Sequence, residues 1–183
     1  SGLPSTVPAR NLQSFNASRA ASSNADILVH VVPHWPLDAS KLYYDALPGK
    51  KYILYFPNNV HGLKDYPRSF GSFNALQHHI TDRKKLPKLK WDYAEADGKL
   101  TLSVSCDMKP TRVTTWSTSA ATRDFRKSEW KSSESQAVGD KYVCTLPVPP
   151  QGYSAMFAEA VFEDGEEMPY FFSTNLRIVG GKK

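Results

Sequence analysis

The chain has 183 residues, 40% of them hydrophobic and 12% aromatic, enough for one medium domain or two small ones with a buried core. No apolar run approaches the roughly 18 residues of a membrane-spanning helix, so composition points to a soluble globular protein rather than a membrane-spanning one. The formal charge of +5 is uneven, because residues 1–95 hold 12 Lys and Arg against 7 Asp and Glu, whereas residues 96–183 hold 11 of each.

Residues 1–25 are rich in Ser, Ala, Pro and Asn without helical or strand period, and read as an extended leader. Inside it, Asn16-Ala17-Ser18 is a glycosylation sequon, which fits a secreted chain with Asn16 as acceptor. The sequence begins at Ser1 with no signal peptide, so the expectation is a processed product whose targeting segment lies upstream. Ile27 to Val32 is apolar apart from His30, the texture of a strand buried on both faces of a parallel sheet. Leu37 to Leu47 carries apolar residues near helical spacing and stops at Pro48-Gly49, as a crossover helix would. Lys51 to Phe56 reads as a second strand, closed by the turn cluster Pro57-Asn58-Asn59 that delivers His61 on a loop. Arg68 to Arg83 places Phe70, Phe73, Leu76 and Ile80 at three- and four-residue steps, a face expected to pack on the sheet. Residues 26–86 therefore read as β-α-β-α, and two strands seldom make a stable sheet, so this half is expected to be the end of a larger α/β domain.

After Pro87 the texture changes. Strand patterns fall at Lys90–Tyr93, Lys99–Ser105, Thr111–Ser117, Lys141–Leu146, Ser154–Phe162 and Tyr170–Val179, separated by turns such as Ala96-Asp97-Gly98 and Glu163-Asp164-Gly165. That spacing suits a β-sandwich of immunoglobulin or fibronectin type III size over residues 87–183. The run Arg83, Lys84, Lys85, Lys88 and Lys90 reads as a solvated linker rather than a phosphate-binding patch, and no nucleic-acid partner is inferred. Cys106 and Cys144, the only cysteines, lack zinc-site spacing; they stand either as one disulfide bridge or as two thiols.

The stretches Trp35-Pro36-Leu37-Asp38-Ala39-Ser40-Lys41-Leu42-Tyr43-Tyr44-Asp45, Leu47-Pro48-Gly49-Lys50-Lys51-Tyr52 and Tyr55-Phe56-Pro57-Asn58-Asn59-Val60-His61-Gly62-Leu63 resemble the PhoPQ-activated pathogenicity-related family. The likeness continues through Trp91, Asp97-Gly98, Pro110, Ala121-Thr122-Arg123-Asp124-Phe125-Arg126 and Gly152-Tyr153, and covers roughly residues 33–180. It implies an α/β-hydrolase-like domain followed by an appended β-sandwich, with His61 at the place of the triad histidine. On residue chemistry the site is incomplete. α/β-Hydrolases present their nucleophile before the acid and the histidine, on a G-x-S-x-G elbow, and no such elbow occurs here. Ser72 follows His61 and sits in a helical pattern, and the family's Asn-Asp pair is replaced by Val31-Val32, leaving Asp38 or Asp26 as substitutes. Without a carboxylate an imidazole loses tautomer control and charge stabilisation, so His61 reads as vestigial. His78 and His79 point about 100° apart on a helix and make a poor metal pair.

These readings favour a catalytically incomplete protein that works in recognition or interaction, with an unknown protein or cell-surface partner, no cofactor, no metal and no membrane span. The competing readings are a hydrolase part whose serine lies upstream, and a carbohydrate-binding module using Trp116, Trp130, Tyr142 and Tyr153 as stacking platforms.

Overall fold

In the computed structural model, which describes residues 27–31, 37–59, 64–163, 165 and 168–181, the strand-textured segments pair into two sheets. The strands are β1 (Ile27–Val31), β2 (Lys51–Tyr55), β3 (Leu89–Ala96), β4 (Lys99–Cys106), β5 (Arg112–Ala120), β6 (Lys131–Glu134), β7 (Gln136–Val138), β8 (Lys141–Pro147), β9 (Tyr153–Phe162), β10 (Tyr170–Ser173) and β11 (Arg177–Gly180). The larger sheet runs β1-β2-β10-β9-β5-β6, with β11 also on β9, and the smaller runs β3-β4-β8-β7. A single α-helix among the described residues, α1 (Tyr66–Thr81), lies against β10.

Alternation decides which side chains meet between the sheets. In β4 the buried residues are Leu100, Leu102 and Val104, and they share a core with Met156, Ala158, Ala160 and Phe162 of β9. β9 is buried along almost its whole length. Its other face packs Ala155 and Phe157 against Ile53, Tyr55, Phe125 and Trp130, with Tyr55 and Trp130 both in ring contact with Phe157, at centroid distances of 4.6 and 5.3 Å. A strand covered on both sides must be apolar at odd and even positions alike, which is why Tyr153–Phe162 reads as a near-continuous hydrophobic run.

The expected α/β-hydrolase-like sheet does not form. β1 and β2 make the one parallel pair among the described strands, in register Ile27 with Lys51 through Val31 with Tyr55. On its other side β2 meets β10, which is antiparallel to it and more than 100 residues later in the chain. The larger sheet thus includes β1 and β2, and the protein is nearly all β, with no α/β-hydrolase-like sheet among the described residues. The crossover between β1 and β2 is also not the helix expected over Leu37–Leu47. It holds a four-residue 3₁₀ turn, Ala39–Leu42, and Asp38 at its start gives the helix no side-chain cap. The Asp38 carboxylate instead accepts a 2.6 Å hydrogen bond from Arg123 Nη2, and Leu42 is exposed.

The long helix forms where the periodicity places it, but with the opposite face inward. Its N-terminus is set by Asp65, whose side chain accepts from the Arg68 N–H at 3.3 Å, with Pro67 in the first turn. Asp82 and then Arg83, at φ 58°, end it. The buried residues are Arg68, Ser69, Gly71, Ser72 and Ala75, whereas Phe70 and Ile80 are 56% and 61% exposed. The small residues win the interface because α1 lies almost on the backbone of residues 168–171: a Cβ on Gly71 would sit 1.9 Å from the Pro169 carbonyl oxygen. No aromatic side chain fits in that gap.

The Tyr170–Val179 run splits in two. Between the pairs Ser173–Glu159 and Arg177–Met156, four steps on one strand oppose three on β9. The extra residue is a bulge. Thr174 Oγ1 accepts the Ala158 N–H at 3.0 Å, and the Thr174 N–H donates to the Ala158 carbonyl at 2.8 Å, so the ladder's polar groups stay paired. Tyr93 reaches the bulge from the smaller sheet and donates to the Asn175 carbonyl at 2.8 Å. From the opposite side the Tyr55 hydroxyl lies 3.4 Å from Asn175 Oδ1 and accepts the Leu176 N–H at 3.3 Å.

Candidate functional site

The loop after β2 is anchored at both ends of the segment that bears His61. Asn58, at φ 58°, donates to the Trp130 carbonyl at 2.8 Å and accepts the Trp130 N–H at 2.7 Å. Asn59 Oδ1 accepts the Lys64 N–H at 2.9 Å. His61 itself, Asp26 and the sequon Asn16 lie outside the described residues. Of the remaining triad candidates, Asp38 is held by Arg123. Ser72 is 0% exposed, and its Oγ donates to the Phe171 carbonyl and accepts the Phe171 N–H, both at 3.0 Å. That hydroxyl is a hydrogen-bond partner for the β10 backbone. His78 pairs with Asp82, and His79 with the Lys84 carbonyl and Lys50 Nζ.

A buried ionic cluster joins α1 to the larger sheet, and sequence reading passed over it. Glu159, 2% exposed in the middle of β9, pairs with the Arg68 guanidinium and accepts from Trp116 Nε1 at 3.3 Å. Arg68 Nε also bonds Asp65 Oδ2 at 2.8 Å, and its guanidinium lies 4.7 Å from the Phe171 ring centre. The one available signal was a lone charge inside an otherwise uncharged strand, Tyr153–Phe162. Its buried position makes the cluster a structural clamp for α1, since neither partner is presented to solvent.

Of the two alternatives for Cys106 and Cys144, one bridge or two thiols, the structure has two free thiols. Cys144 pairs across the ladder with Leu102, not with Cys106. Four residues of strand then separate the two cysteines along β4, about 13 Å, against the roughly 7 Å limit for a disulfide. Burial pushes both thiols up from the ordinary range. The four aromatics considered as a carbohydrate platform are also scattered. Trp116 is tied to Glu159, Trp130 is buried against Phe157, Tyr142 packs toward the inter-sheet core, and Tyr153 lies at the far end of β9 under Arg123.

Clefts lie between strands of the two sheets among the described residues. One cleft, of about 200 Å³, is lined by residues of β2, β10 and β3, the end strand of the smaller sheet. Its lining includes the buried Tyr52, Ile53 and Phe172, the half-buried Leu89 and Trp91, and Lys50, Lys51 and Lys88. Trp91 is half-buried; Lys50 and Lys88 are exposed. The Tyr44 hydroxyl donates to the Lys51 carbonyl at 3.2 Å, and Lys51 Nζ sits 5.2 Å from the Tyr44 ring centre, while burial pushes the Tyr44 phenol up to about 12. The basic run continues the same surface. Lys85 pairs with Asp107 at 3.0 Å, and Asp107 also accepts the Lys88 N–H, which with Lys85 holds its carboxyl below the usual range. The second cleft, about 320 Å³ between β5–β6 and β7–β8, is lined by Thr115, Ser117, Ser133, Glu134, Gln136 and Thr145 among others. Among the described residues no group of three or more His, Cys, Asp or Glu is placed to hold a metal ion. No helix among them is long and apolar enough to cross a membrane.

The family model for PhoPQ-activated pathogenicity-related protein matches residues 29–126. No curated protein matches the chain. Among solved structures, the crystal structure of a carbohydrate-binding module family 56 β-1,3-glucan binding domain aligns with 50% of this chain and 96% of its own, at 10% identity and a TM-score of 0.36. A protein from Agrobacterium tumefaciens aligns with 86% of this chain and 94% of its own, also at 10% identity and a TM-score of 0.36. Likenesses at that level define neither fold nor function here.

Proposed function

The chain belongs to the PhoPQ-activated pathogenicity-related family, and from that premise we propose that it acts by non-covalent recognition of a ligand in the cleft between β2, β10 and β3. The observation that carries this reading is the cleft's make-up: an indole, buried apolar side chains and lysines, with no carboxylate and no histidine among its lining residues. Such a surface can hold and orient a ligand, but it offers no base to activate a nucleophile. The serine that sequence reading weighed is committed to Phe171, and the sheet that would carry a hydrolase elbow is absent among the described residues. A location outside the cell, supported by the Asn16 sequon, is part of the same proposal.

The test pairs a binding measurement with an activity measurement. A fragment library titrated into the ¹⁵N-labelled chain is expected to shift amides of residues 50–53, 88–91 and 172–173, with no turnover of short-chain esters. Ester turnover that disappears in His61→Ala, or ligand shifts confined to the loop around residues 57–65, would refute the proposal.

A further inference from the structure

If the cleft between β2, β10 and β3 is a recognition site, its make-up also constrains the chemistry of its ligand. Resting on that reading, we infer that it takes one anionic sugar residue, with a carboxylate or phosphate among Lys50, Lys51 and Lys88 and the ring's C–H face on Trp91.

Charge is the first constraint. Three lysines contribute lining and no Asp or Glu does. Outside the lining, Asp45 lies close enough to Tyr44 for its charge to be felt there, and Asp107 is paired with Lys85 at 3.0 Å, so the three lysines of the lining outnumber these two carboxylates. An anion within a Debye length of this group, about 8 Å at physiological salt, meets a net attraction. Lys50 Nζ lies 3.1 Å from His79 Nε2 and Lys51 Nζ donates to the Asp45 carbonyl at 3.3 Å, and each ammonium carries three N–H donors, so further ones are left for an anion.

Size and wetting supply the second constraint. A volume of about 200 Å³ is below the roughly 300–1,000 Å³ that holds a drug-sized ligand, so the part of the ligand held inside is about a single ring with a substituent. Among the aromatic lining residues Phe172 is 1% exposed and Tyr44 and Tyr52 7% each, which leaves the indole of Trp91, half-buried and also packed on the core, as the aromatic surface most open to a ligand. A flat aromatic acid laid on it would leave its second apolar face in water. A pyranose has one C–H face for the indole and hydroxyls around its edge for solvent. β3 is the end strand of its sheet, and its outer edge, without a partner among the described strands, can meet some of those hydroxyls. The sugar therefore fits the wet, one-sided cleft better than an arene of the same size.

The experiment uses the full chain, followed by amide shifts, with four probes: glucuronate, glucose 6-phosphate, glucose and inorganic phosphate. The expected result is saturable shifts at residues 88–91 and 50–53 with one or both sugar anions, and binding about tenfold weaker for glucose, from two or three partly screened ion pairs. Glucuronate alone assigns a carboxylate sugar, and glucose 6-phosphate alone a phosphorylated one. Lys51→Gln with Lys88→Gln should bring the anions down to the affinity of glucose with the amide spectrum away from residues 44–53 and 87–91 unchanged, and Trp91→Phe should weaken all three sugars. Glucose binding as tightly as the anions, inorganic phosphate binding as tightly as glucose 6-phosphate, or no sugar shifting these amides would each overturn the inference. If other fragments shift the cleft amides while no sugar does, the sugar assignment fails and the recognition reading survives. If nothing shifts them, both fail.

Discussion

Replacing Gly71 by Ala tests how α1 is held. Alanine at an exposed helix position would stabilise the chain by about 1 kcal/mol relative to glycine, but the new methyl would sit 1.9 Å from the Pro169 carbonyl oxygen and 3.0 Å from its carbon. Those are backbone atoms at the start of β10 and cannot swing aside as a side-chain tip could. The helix must lift instead, and the two 3.0 Å hydrogen bonds between Ser72 Oγ and Phe171 lengthen with it. Overfilling a tight contact costs about 1–3 kcal/mol, and two buried hydrogen bonds contribute about 1 kcal/mol each. Set against the helix-propensity gain, the net loss is about 2–4 kcal/mol. Urea unfolding followed by far-UV circular dichroism measures it, with the slope checked for an unchanged transition. A variant as stable as the parent, or more so, would refute the packing of α1 on residues 168–171.

The outer face of the same helix should behave oppositely: Phe70→Gln and Ile80→Gln, both more than half exposed, are each expected to change stability by less than about 0.5 kcal/mol, and a loss above about 2 kcal/mol would mean that the face is covered. Glu159→Gln leaves Arg68 buried beside a neutral amide, and breaking such a pair should cost about 3–5 kcal/mol in the same urea assay, with Trp116 fluorescence shifting as its Nε1 partner changes. Burial raises the Tyr55 phenol to about 12 from 10.0; the folded state then holds a proton that the unfolded state releases first, so stability is intact below about pH 10 and falls between about pH 10 and 12, a loss that alkaline unfolding should show and Tyr55→Phe should reduce. The division of the chain at residue 87 into two folding units is a proposal that expression of residues 88–183 tests, since they carry strands β3 to β11: a cooperative melt supports it, and its absence would mean that β1, β2 and α1 are needed to close the sandwich.

Family membership was legible from local strings, such as Tyr55-Phe56-Pro57-Asn58-Asn59, because a match of residue order needs no knowledge of contacts. The strand texture after Pro87 was equally legible, since alternation and turn residues are properties of neighbours along the chain. Two short strands escaped notice: β6 and β7 are exposed along their whole length and carry no alternation to detect. The helix was placed correctly from its period, yet its inward face was misread, because periodicity ranks faces by hydrophobicity while the interface was decided by how closely two backbones approach. Gly71, Ser72 and Ala75 fit that gap and Phe70 does not.

Pairing across long separations was beyond sequence reading altogether. Nothing local tells β2 that its second neighbour is β10, more than 100 residues later, so a β-α-β-α string was taken for the end of an α/β sheet when it is the flank of a sandwich. The same holds for Glu159, whose partner Arg68 lies on another element. It holds again for the cleft, whose lysines and Trp91 come from β2 and β3 and the residues just before them, which belong to different sheets. Composition and period act over a few residues and so determine which elements form. Which of them touch is a competition among all the surfaces the chain can bury, and that is settled only when the whole chain folds.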